Sequence, residues 1–152
     1  MFEVHAGSWA GAAVHSDTLT VTSGTVAELA EGTYAWGVQG LNSTSTTQFA
    51  HRILTIDRTA PVAPVLLTPA NNAALGDSLV QFTWTPGSDA LGGAIDSMFL
   101  YTTGTQAPMR RIATNTGSHA EVLDTGTYSW LVRCHDGAGN SSATPLRSFT
   151  VQ

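Results

Sequence analysis

The residues best suited to hold an ion lie in a short loop near the end of the chain. Asp136-Gly137-Ala138-Gly139-Asn140 offers a carboxylate and an amide oxygen, which are the kinds of ligand that Ca²⁺ takes in proteins. Asp, Asn and Gly are also the residues of ordinary tight turns, because Asx side chains bond to nearby backbone and Gly accepts a positive φ. The sequence favours the turn and leaves calcium as the alternative, with Asp136 and Asn140 as candidate ligands.

The residue types used in catalysis are present without the spacing that catalysis needs. The five His are scattered along the chain with no paired spacing, and the chain has no nucleophile elbow, phosphate-binding loop or Rossmann glycine pattern. Cys134, the only cysteine, follows Leu131 and Val132 and is expected to be a small buried hydrophobe with an inert thiol. We therefore expect no catalytic residue, no cofactor and no enzymatic activity.

Two further patterns concern sugars. Trp9 lies in a Gly- and Ala-rich stretch without periodicity, where an indole either packs against the domain or stays exposed to stack on a glycan or a partner surface. The sequence favours packing and leaves ligand contact as the alternative.

Asn42-Ser43-Thr44 and Asn140-Ser141-Ser142 both fit the N-glycosylation sequon, although such sequons arise by chance in Ser- and Thr-rich chains. Asn42 and Asn140 are therefore glycosylation candidates if the source cell glycosylates.

The composition narrows the choice of partners. Charged residues make up 11% of the 152 residues, the net charge is −5, and all six basic residues are Arg. This balance argues against nucleic acid or an anionic membrane as a partner, because both require a basic face. No apolar run reaches the roughly 20 residues that cross a bilayer as a helix. Neighbouring protein domains, copies of the same chain and glycans remain as expected partners.

The elements that must position these residues are organised by a motif that occurs twice. Leu29-Ala30-Glu31-Gly32-Thr33-Tyr34-Ala35-Trp36 returns as Leu123-Asp124-Thr125-Gly126-Thr127-Tyr128-Ser129-Trp130, with Leu, Gly-Thr, Tyr and Trp at the same spacing. Gly lets the backbone turn sharply into a strand, and side chains two positions apart on a strand face the same side. The repeat predicts two copies of one β-domain, with the Tyr and Trp of each copy as structural core residues.

The division of the chain follows from this repeat. We expect a first domain at residues 1–57, a stiff connector with two prolines at 58–64, and a second domain at 65–152. Alternating apolar residues predict strands of the first domain at 2–6, 17–22, 25–29, 32–40 and 48–56. Those of the second domain are predicted at 65–67, 79–84, 98–101, 110–113, 119–123, 126–135 and 148–151. The additional core candidates are Phe49, Ile53 and Ile56 in the first domain and Val80, Phe82 and Trp84 in the second.

The motifs of the second domain resemble those of a known family. Phe82-Thr83-Trp84-Thr85-Pro86, then Leu-x-x-Gly-x-Tyr-x-Trp, then Asp136 to Ser141 and a final Phe149-Thr150-Val151 resemble a bacterial fibronectin type III-like or immunoglobulin-like repeat. In this family the phenol of the Leu-x-x-Gly-x-Tyr run, the tyrosine corner, bonds to upstream backbone. The resemblance implies an all-β chain with two Greek-key β-sandwich domains in tandem.

The resemblance also carries a functional expectation. It implies a non-enzymatic extracellular or cell-surface module with a structural or adhesive role, and the alternative is a carbohydrate-binding or spacer domain of a larger secreted enzyme. The Asp-x-Thr-Ala-Pro run at Asp57 resembles joints between tandem bacterial domains, some of which bind calcium. Asp57 is therefore a third candidate calcium ligand, although the first domain has Leu41-Asn42-Ser43 where the second has its Asp136 loop.

The repeat further predicts that the first domain is incomplete. Placing Tyr34 on Tyr128 sets the run from Phe2 beside the run from Phe99 and leaves no counterpart of residues 61 to 94. Such a domain would expose Trp36, Val38 and Phe49 and leave strand edges unpaired. We expect strands from elsewhere to complete it by β-strand addition, with a filament as one result. The alternative is a reduced domain in which residues 8–16 fold over the open face.

Overall fold

The computed structural model describes residues 1–152 as an all-β chain with no helix, so it contains no helix that could cross a membrane. The predicted fold class is confirmed. The chain divides into two compact units, Met1–Arg58 and Thr59–Gln152. The strands of the first unit are β1 (Phe2–Ala6), β2 (Ala13–Asp17), β3 (Gly32–Val38) and β4 (Ala50–Ile56). Those of the second are β5 (Val65–Thr68), β6 (Ala73–Leu75), β7 (Leu79–Thr85), β8 (Ile95–Thr102), β9 (Arg110–Ala113), β10 (Ser118–Val122), β11 (Gly126–His135), β12 (Ser141–Ala143) and β13 (Arg147–Val151).

The first unit contains one antiparallel sheet in the order β2-β1-β3-β4. The chain leaves β1 through Gly7, which has a positive φ of 75°, and returns as β2 beside β1. The strand that carries Tyr34 and Trp36 lies between β1 and β4, with Trp36 opposite Val4 on one side and Arg52 on the other. One sheet has two faces, and no second sheet lies against either of them within this unit.

Two predicted strands of the first unit are wrong. Residues 18–31 form no strand, whereas strands were expected at 17–22 and 25–29, and the strand that does form is β2, in the stretch whose pattern was weakest. The corresponding segment of the second unit is β10, which pairs along its whole length with β7. Because the first unit has no counterpart of β7, its residues 25–29 have no backbone partner and cannot form a ladder.

The second unit is a sandwich of two sheets. The smaller sheet has the order β10-β7-β5, and the larger has the order β6-β13-β11-β8-β9, with β12 paired to the far part of β11. The pairs are antiparallel except that of β6 with β13, which is parallel. This strand order, with hairpins and crossings between the sheets, is the Greek-key arrangement of immunoglobulin-like and fibronectin III-like domains.

The core of the second unit lies between its two sheets. Phe82 of the smaller sheet meets the Trp130 ring of the larger at 5.1 Å between centroids and the Phe149 ring at 5.7 Å, both edge to face. Burial of each such side chain contributes about 1.5–3 kcal/mol. The other buried residues of this cluster are Leu66, Val80, Trp84, Met98, Leu100, Leu123, Tyr128, Val132 and Val151. Residues from both sheets therefore enclose one apolar layer.

Each strand of the sheet in the first unit has a counterpart in the larger sheet of the second unit. Its order β2-β1-β3-β4 corresponds to β9-β8-β11-β13. Tyr34 lies opposite Ala6 and Leu54, and Tyr128 lies opposite Thr102 and Phe149. The first unit has no counterpart of the parallel strand β6 or of the smaller sheet.

The predicted alignment of the two first strands is wrong by one residue. Phe2 lies opposite Val38, as Met98 lies opposite Val132, so Phe2 corresponds to Met98 rather than to Phe99. The cause is the turn that follows each strand. Gly7 follows the end of β1 directly, whereas Thr103 intervenes before Gly104, and an alignment that matches these two positive-φ glycines shifts the strands. A shift of one residue exchanges the two faces of a strand.

Candidate functional site

The two Tyr residues of the repeated motif make the same bond in both units. The Tyr34 hydroxyl donates to the Ala30 carbonyl at 3.0 Å, and the Tyr128 hydroxyl donates to the Asp124 carbonyl at 2.9 Å. Both rings are buried, and each bond ties the loop before a strand to that strand. This is the bond that the Leu-x-x-Gly-x-Tyr pattern predicts. The corners position β3 and β11 and carry no chemistry of their own.

One side of the first sheet is apolar and incompletely covered. We call it the apolar face, made by Phe2, Val4, Trp36, Val38 and Leu54, which face one side because they lie opposite each other in the ladders. Val4 is buried, but Trp36 is 37% exposed and Val38 is 47% exposed. The prediction that Trp36 is a core residue is therefore wrong, since the strands that bury Trp130 have no counterpart here, whereas the exposure of Trp36 and Val38 agrees with what was expected of an incomplete domain.

The partial cover of this face comes from residues 18–31. Leu19, Val26 and Leu29 line a pocket of about 430 Å³ together with the residues of the apolar face. Residues 8–16, the cover considered in the alternative prediction, lie elsewhere: Trp9 packs on the other side of the sheet, and Ala13–Asp17 is the edge strand β2. The cover is thus an irregular segment that leaves an apolar pocket beneath it.

The opposite side of the first sheet carries Trp9. Its ring stacks on His51 at 5.0 Å with an interplanar angle of 10°, and it contacts Phe49 and His5 at 4.8 and 4.4 Å between centroids. A Cβ at Gly37 would stand 2.8 Å from the Trp9 ring, so only Gly lets the indole lie on the strand. Trp9 is half-buried. It packs as the sequence favoured, and a glycan contact through its open edge stays a prediction.

The core candidates of β4 divide between the two sides. Ile53 is 60% exposed, so its prediction as a core residue is wrong. It shares a side with Ala35, whereas Leu54 lies opposite Tyr34 on the apolar face. Phe49 lies against Trp9 rather than beside Trp36, and Ile56 is half-buried.

His5 is held with both ring nitrogens against acceptors. Nδ1 lies 2.9 Å from the Gly11 carbonyl and Nε2 lies 3.1 Å from a Glu3 carboxylate oxygen. The backbone bond to Gly11, followed by the bond to Glu3, raises the pKa of His5 above its ordinary value. Only the protonated ring donates from both nitrogens. His5 therefore fastens the hairpin that carries Trp9 most firmly when it is charged.

The loop from Asp136 is a tight turn closed by its own carboxylate. One oxygen accepts the backbone N–H groups of Ala138, Gly139 and Asn140 at 2.8–2.9 Å, and the other accepts the Asn140 side-chain amide at 2.9 Å. Burial by itself would raise the pKa of Asp136, but these hydrogen bonds outweigh it and hold the pKa below its ordinary value. The four donors occupy directions that a cation would otherwise take.

The three candidate calcium ligands are divided between the two units. In the second unit, a carboxylate oxygen of Asp89 lies within 4.8 Å of one of Asp136, so a second carboxylate approaches the turn. The sequence did not single out Asp89, because it lies in a long turn region without a recognisable motif. Asp57 is the next-to-last residue of the first unit. Calcium binding by Asp57, Asp136 and Asn140 stays a prediction.

The two glycosylation candidates differ in the state of the side-chain amide. Asn42 is exposed, and its oxygen accepts bonds from the backbone N–H groups of Thr44 and Ser45. The amide nitrogen of Asn140, the atom that a glycan would modify, donates to Asp136. Modification at Asn140 would thus compete with the turn, and modification at Asn42 would not.

A buried polar group lies next to Cys134. The Asp96 carboxylate accepts the Trp84 indole N–H at 2.8 Å and the Gly87 N–H at 3.2 Å. Burial, followed by a hydrogen bond to this carboxylate, raises the pKa of Cys134 to about 11. The thiol therefore stays protonated at neutral pH and is a poor nucleophile. The Asp96 carboxylate stabilises the sandwich, because it accepts the hydrogen bond of the buried Trp84 indole.

No known protein family and no curated protein matches this chain. Similar solved structures include the crystal structures of the chicken CNTN1 FN1–FN3 domains and of domains d3–d4 of the rat CD45 extracellular region. The first is 14% identical, with 78% of this chain and 43% of that chain covered and a TM-score of 0.48. The second is 14% identical, with 93% and 86% covered and a TM-score of 0.38. The fold of the second unit is assigned from its strand order.

One group of residues on the outer side of the second unit was not predicted from the sequence. Arg111 and Arg133 stand over the Phe99 ring, with Ser97, His135 and Ser141 beside them. The signal was present in the alternation: Arg133 and His135 flank the buried Cys134, and Phe99 precedes the buried Leu100, so all three face outward. Only the strand pairing brings them together.

Proposed function

We propose that this chain is a non-enzymatic extracellular module with a structural or adhesive role, and that a strand from a neighbouring protein domain covers the apolar face of its first unit. The observation that carries the proposal is this half-open face, with Trp36 and Val38 exposed. Contiguous exposed apolar side chains are characteristic of interaction surfaces. The extracellular role rests on the family resemblance of the sequence motifs.

The second unit indicates what the partner supplies. Its equivalent face is closed by β7, where Val80, Phe82 and Trp84 alternate with polar residues and point into the core. A segment with this alternation would place large side chains into the pocket of about 430 Å³ and would give residues 25–29 the ladder partner that β10 has in β7. Affinity would come from apolar burial and main-chain pairing, as in other cases of β-strand addition.

The consequence for assembly follows from geometry. A module that accepts a strand in its first unit from a domain of a neighbouring chain makes a heterologous contact. When the rotation between such neighbours does not close, the contact propagates as a filament. A surface fibre or a long adhesin is the setting that this arrangement fits.

The test uses two matched variants of the full chain. Val38→Glu places a charge on the apolar face, and Ile53→Glu places the same charge on a comparably exposed apolar residue of the opposite side. A labelled peptide with the sequence of residues 77–86 serves as the strand donor, and binding is followed by fluorescence anisotropy and by light scattering of the chain alone. We expect binding or self-association that Val38→Glu abolishes and Ile53→Glu retains.

The same measurements can reject the proposal. A chain that is monomeric at every concentration and does not bind the peptide would contradict it. Equal loss in the two variants would also contradict it, because a general effect of charge would then explain the result.

A further inference from the structure

The outer side of the larger sheet in the second unit carries a pocket of about 330 Å³. We call it the arginine pocket, lined by Ser97, Phe99, Arg111, Arg133, His135 and Ser141. Phe99 of β8 lies opposite Arg111 of β9, and Ser97 lies opposite Arg133 of β11, so these side chains share one face. The guanidinium carbons lie 5.5 and 5.7 Å from the centre of the Phe99 ring.

The two guanidinium groups have no anionic partner within the molecule. Arg58 and Arg110 pair with Glu28 and Glu121, whereas no carboxylate lies within ion-pair distance of Arg111 or Arg133. They also make no hydrogen bond to another residue, and their contact is with the face of an aromatic ring. Stacking uses the plane of a guanidinium and leaves the N–H donors at its edge available. Both guanidinium groups contact the same ring, in a chain whose net charge is −5.

A buried hydroxyl in the same pocket also lacks a partner. Ser97 is 1% exposed, and its Oγ makes no hydrogen bond. Buried polar groups are nearly always satisfied, and for a hydroxyl that lines a pocket the candidate partners are a water and a ligand. Ser97 lies opposite Arg133 in the ladder and lines the same pocket.

We propose that the arginine pocket binds an acidic sugar residue through its carboxylate. A planar guanidinium group matches the flat, two-oxygen shape of a carboxylate and binds it with charge-assisted hydrogen bonds, and the arginine pocket offers two of them. The hydroxyls of Ser97 and Ser141 and the ring of His135 offer both donors and acceptors, which suit the hydroxyls of a sugar. An acidic amino-acid side chain would supply the carboxylate but leave these groups unused. The volume accommodates a ligand of about one sugar residue.

The first unit indicates that this arrangement is not needed to form the sheet. By register, Glu3 takes the place of Phe99 and Gln39 follows β3 at the place of Arg133. The same four strands therefore pair without an aromatic ring or a guanidinium at these positions. A role in ligand binding accounts for the arginine pocket where strand pairing does not.

The first experiment titrates the full-length ¹⁵N-labelled chain with glucuronate, glucose and N-acetyl-glutamate. We expect glucuronate to shift the amide resonances of β8, β9 and β11 with a dissociation constant of about 1 mM, the usual range for a ligand of this size. Glucose should cause no shift, and N-acetyl-glutamate should bind at least several-fold more weakly. The proposal is overturned if glucuronate does not bind, if glucose binds equally, or if the amino-acid probe binds as tightly.

The second experiment uses variants with an internal control. Arg111→Gln and Arg133→Gln should each weaken glucuronate binding roughly tenfold or more, because each removes a charge-assisted bond. Arg110→Gln removes the same charge from the adjacent residue, which pairs with Glu121, and should leave binding within about twofold.

Ser97→Ala keeps the sandwich folded, since it removes a hydroxyl that has no partner, and it should weaken binding several-fold. Thermal midpoints of all variants check folding. Equal binding by Arg110→Gln, Arg111→Gln and Arg133→Gln would overturn the assignment.

Discussion

The four strands of the first sheet have counterparts, in the same order, among the six strands of the larger sheet of the second unit, yet the apolar sides of the two sheets differ in burial. Trp130 is fully buried by the opposing sheet, whereas Trp36, at the same place in the repeat, is 37% exposed. Phe149, opposite Tyr128, is buried, whereas Leu54, opposite Tyr34, is exposed. The tyrosine corner and the strand pairing therefore form without the second sheet, whereas burial of the Trp depends on it.

The outer sides of the two sheets differ as well. In the first unit Gly37 leaves space for Trp9, which covers the strand with His5 and His51 around it. In the second unit Leu131 stands at the place of Gly37, and the exposed features are the guanidinium groups over Phe99. The shared strands thus carry two unrelated surfaces, as expected where function resides in side chains placed on a common fold.

The largest expected effect contrasts the two Trp residues. Trp130→Ala should lower the free energy of unfolding of the second unit by about 3–5 kcal/mol, because it leaves a cavity in a closed core. Trp36→Ala should cost the first unit about 1 kcal/mol, because its ring is already partly in solvent. Denaturant unfolding followed by amide resonances of each unit measures both. Equal costs would mean that the apolar face is closed in solution.

The next effect should be the same in both units. Tyr34→Phe and Tyr128→Phe each remove one hydrogen bond to a backbone carbonyl, and each should cost about 1 kcal/mol. The same unfolding measurement applies, with Tyr101→Phe as a control that lies outside the corners. A much smaller cost at Tyr34 than at Tyr128 would contradict the view that the corner forms independently of the second sheet.

The smallest effect is a difference in pH dependence. The raised pKa of His5 gives the first unit stability that is fully present below about pH 6.5 and is lost as the pH rises through the folded-state pKa. The lowered pKa of Asp136 gives the second unit stability that is present above about pH 3.9 and is lost as the pH falls through the folded-state pKa. Hydrogen exchange of each unit, measured across this range, should show the opposite trends.

Three variants check the assignment of that pH dependence. His5→Gln should remove the alkaline loss from the first unit, whereas His15→Gln, on the neighbouring strand, should retain it. Asp136→Asn should remove the acid loss that is specific to its turn. The assignment to His5 would be contradicted if His15→Gln had the same effect.

The sequence predicted the second unit far better than the first, for a physical reason. The alternation of Val80, Phe82 and Trp84 is decisive because these residues face a core that the rest of the unit supplies. Residues 25–29 carry a similar strand-like pattern and stay irregular, because a strand needs a neighbouring backbone and β7 has no counterpart there. The sequence favoured a tight turn at Asp136, and the structure has one. The arginine pocket was not predicted, because its residues come together only when three strands pair.

By itself the sequence determined the all-β class, the two tyrosine corners and the turn at Asp136, since each depends on side chains and backbone a few residues apart. Tertiary structure alone decided the one-residue register of β1 and the meeting of Arg111 and Arg133 over Phe99, and it decided between a buried and an exposed Trp36, both of which the sequence had predicted. These depend on which backbone lies beside which, and that is settled by pairing and burial across distant segments. A Trp in a repeated motif carries the same local signal in both units, and only the presence of an opposing sheet makes it a core residue.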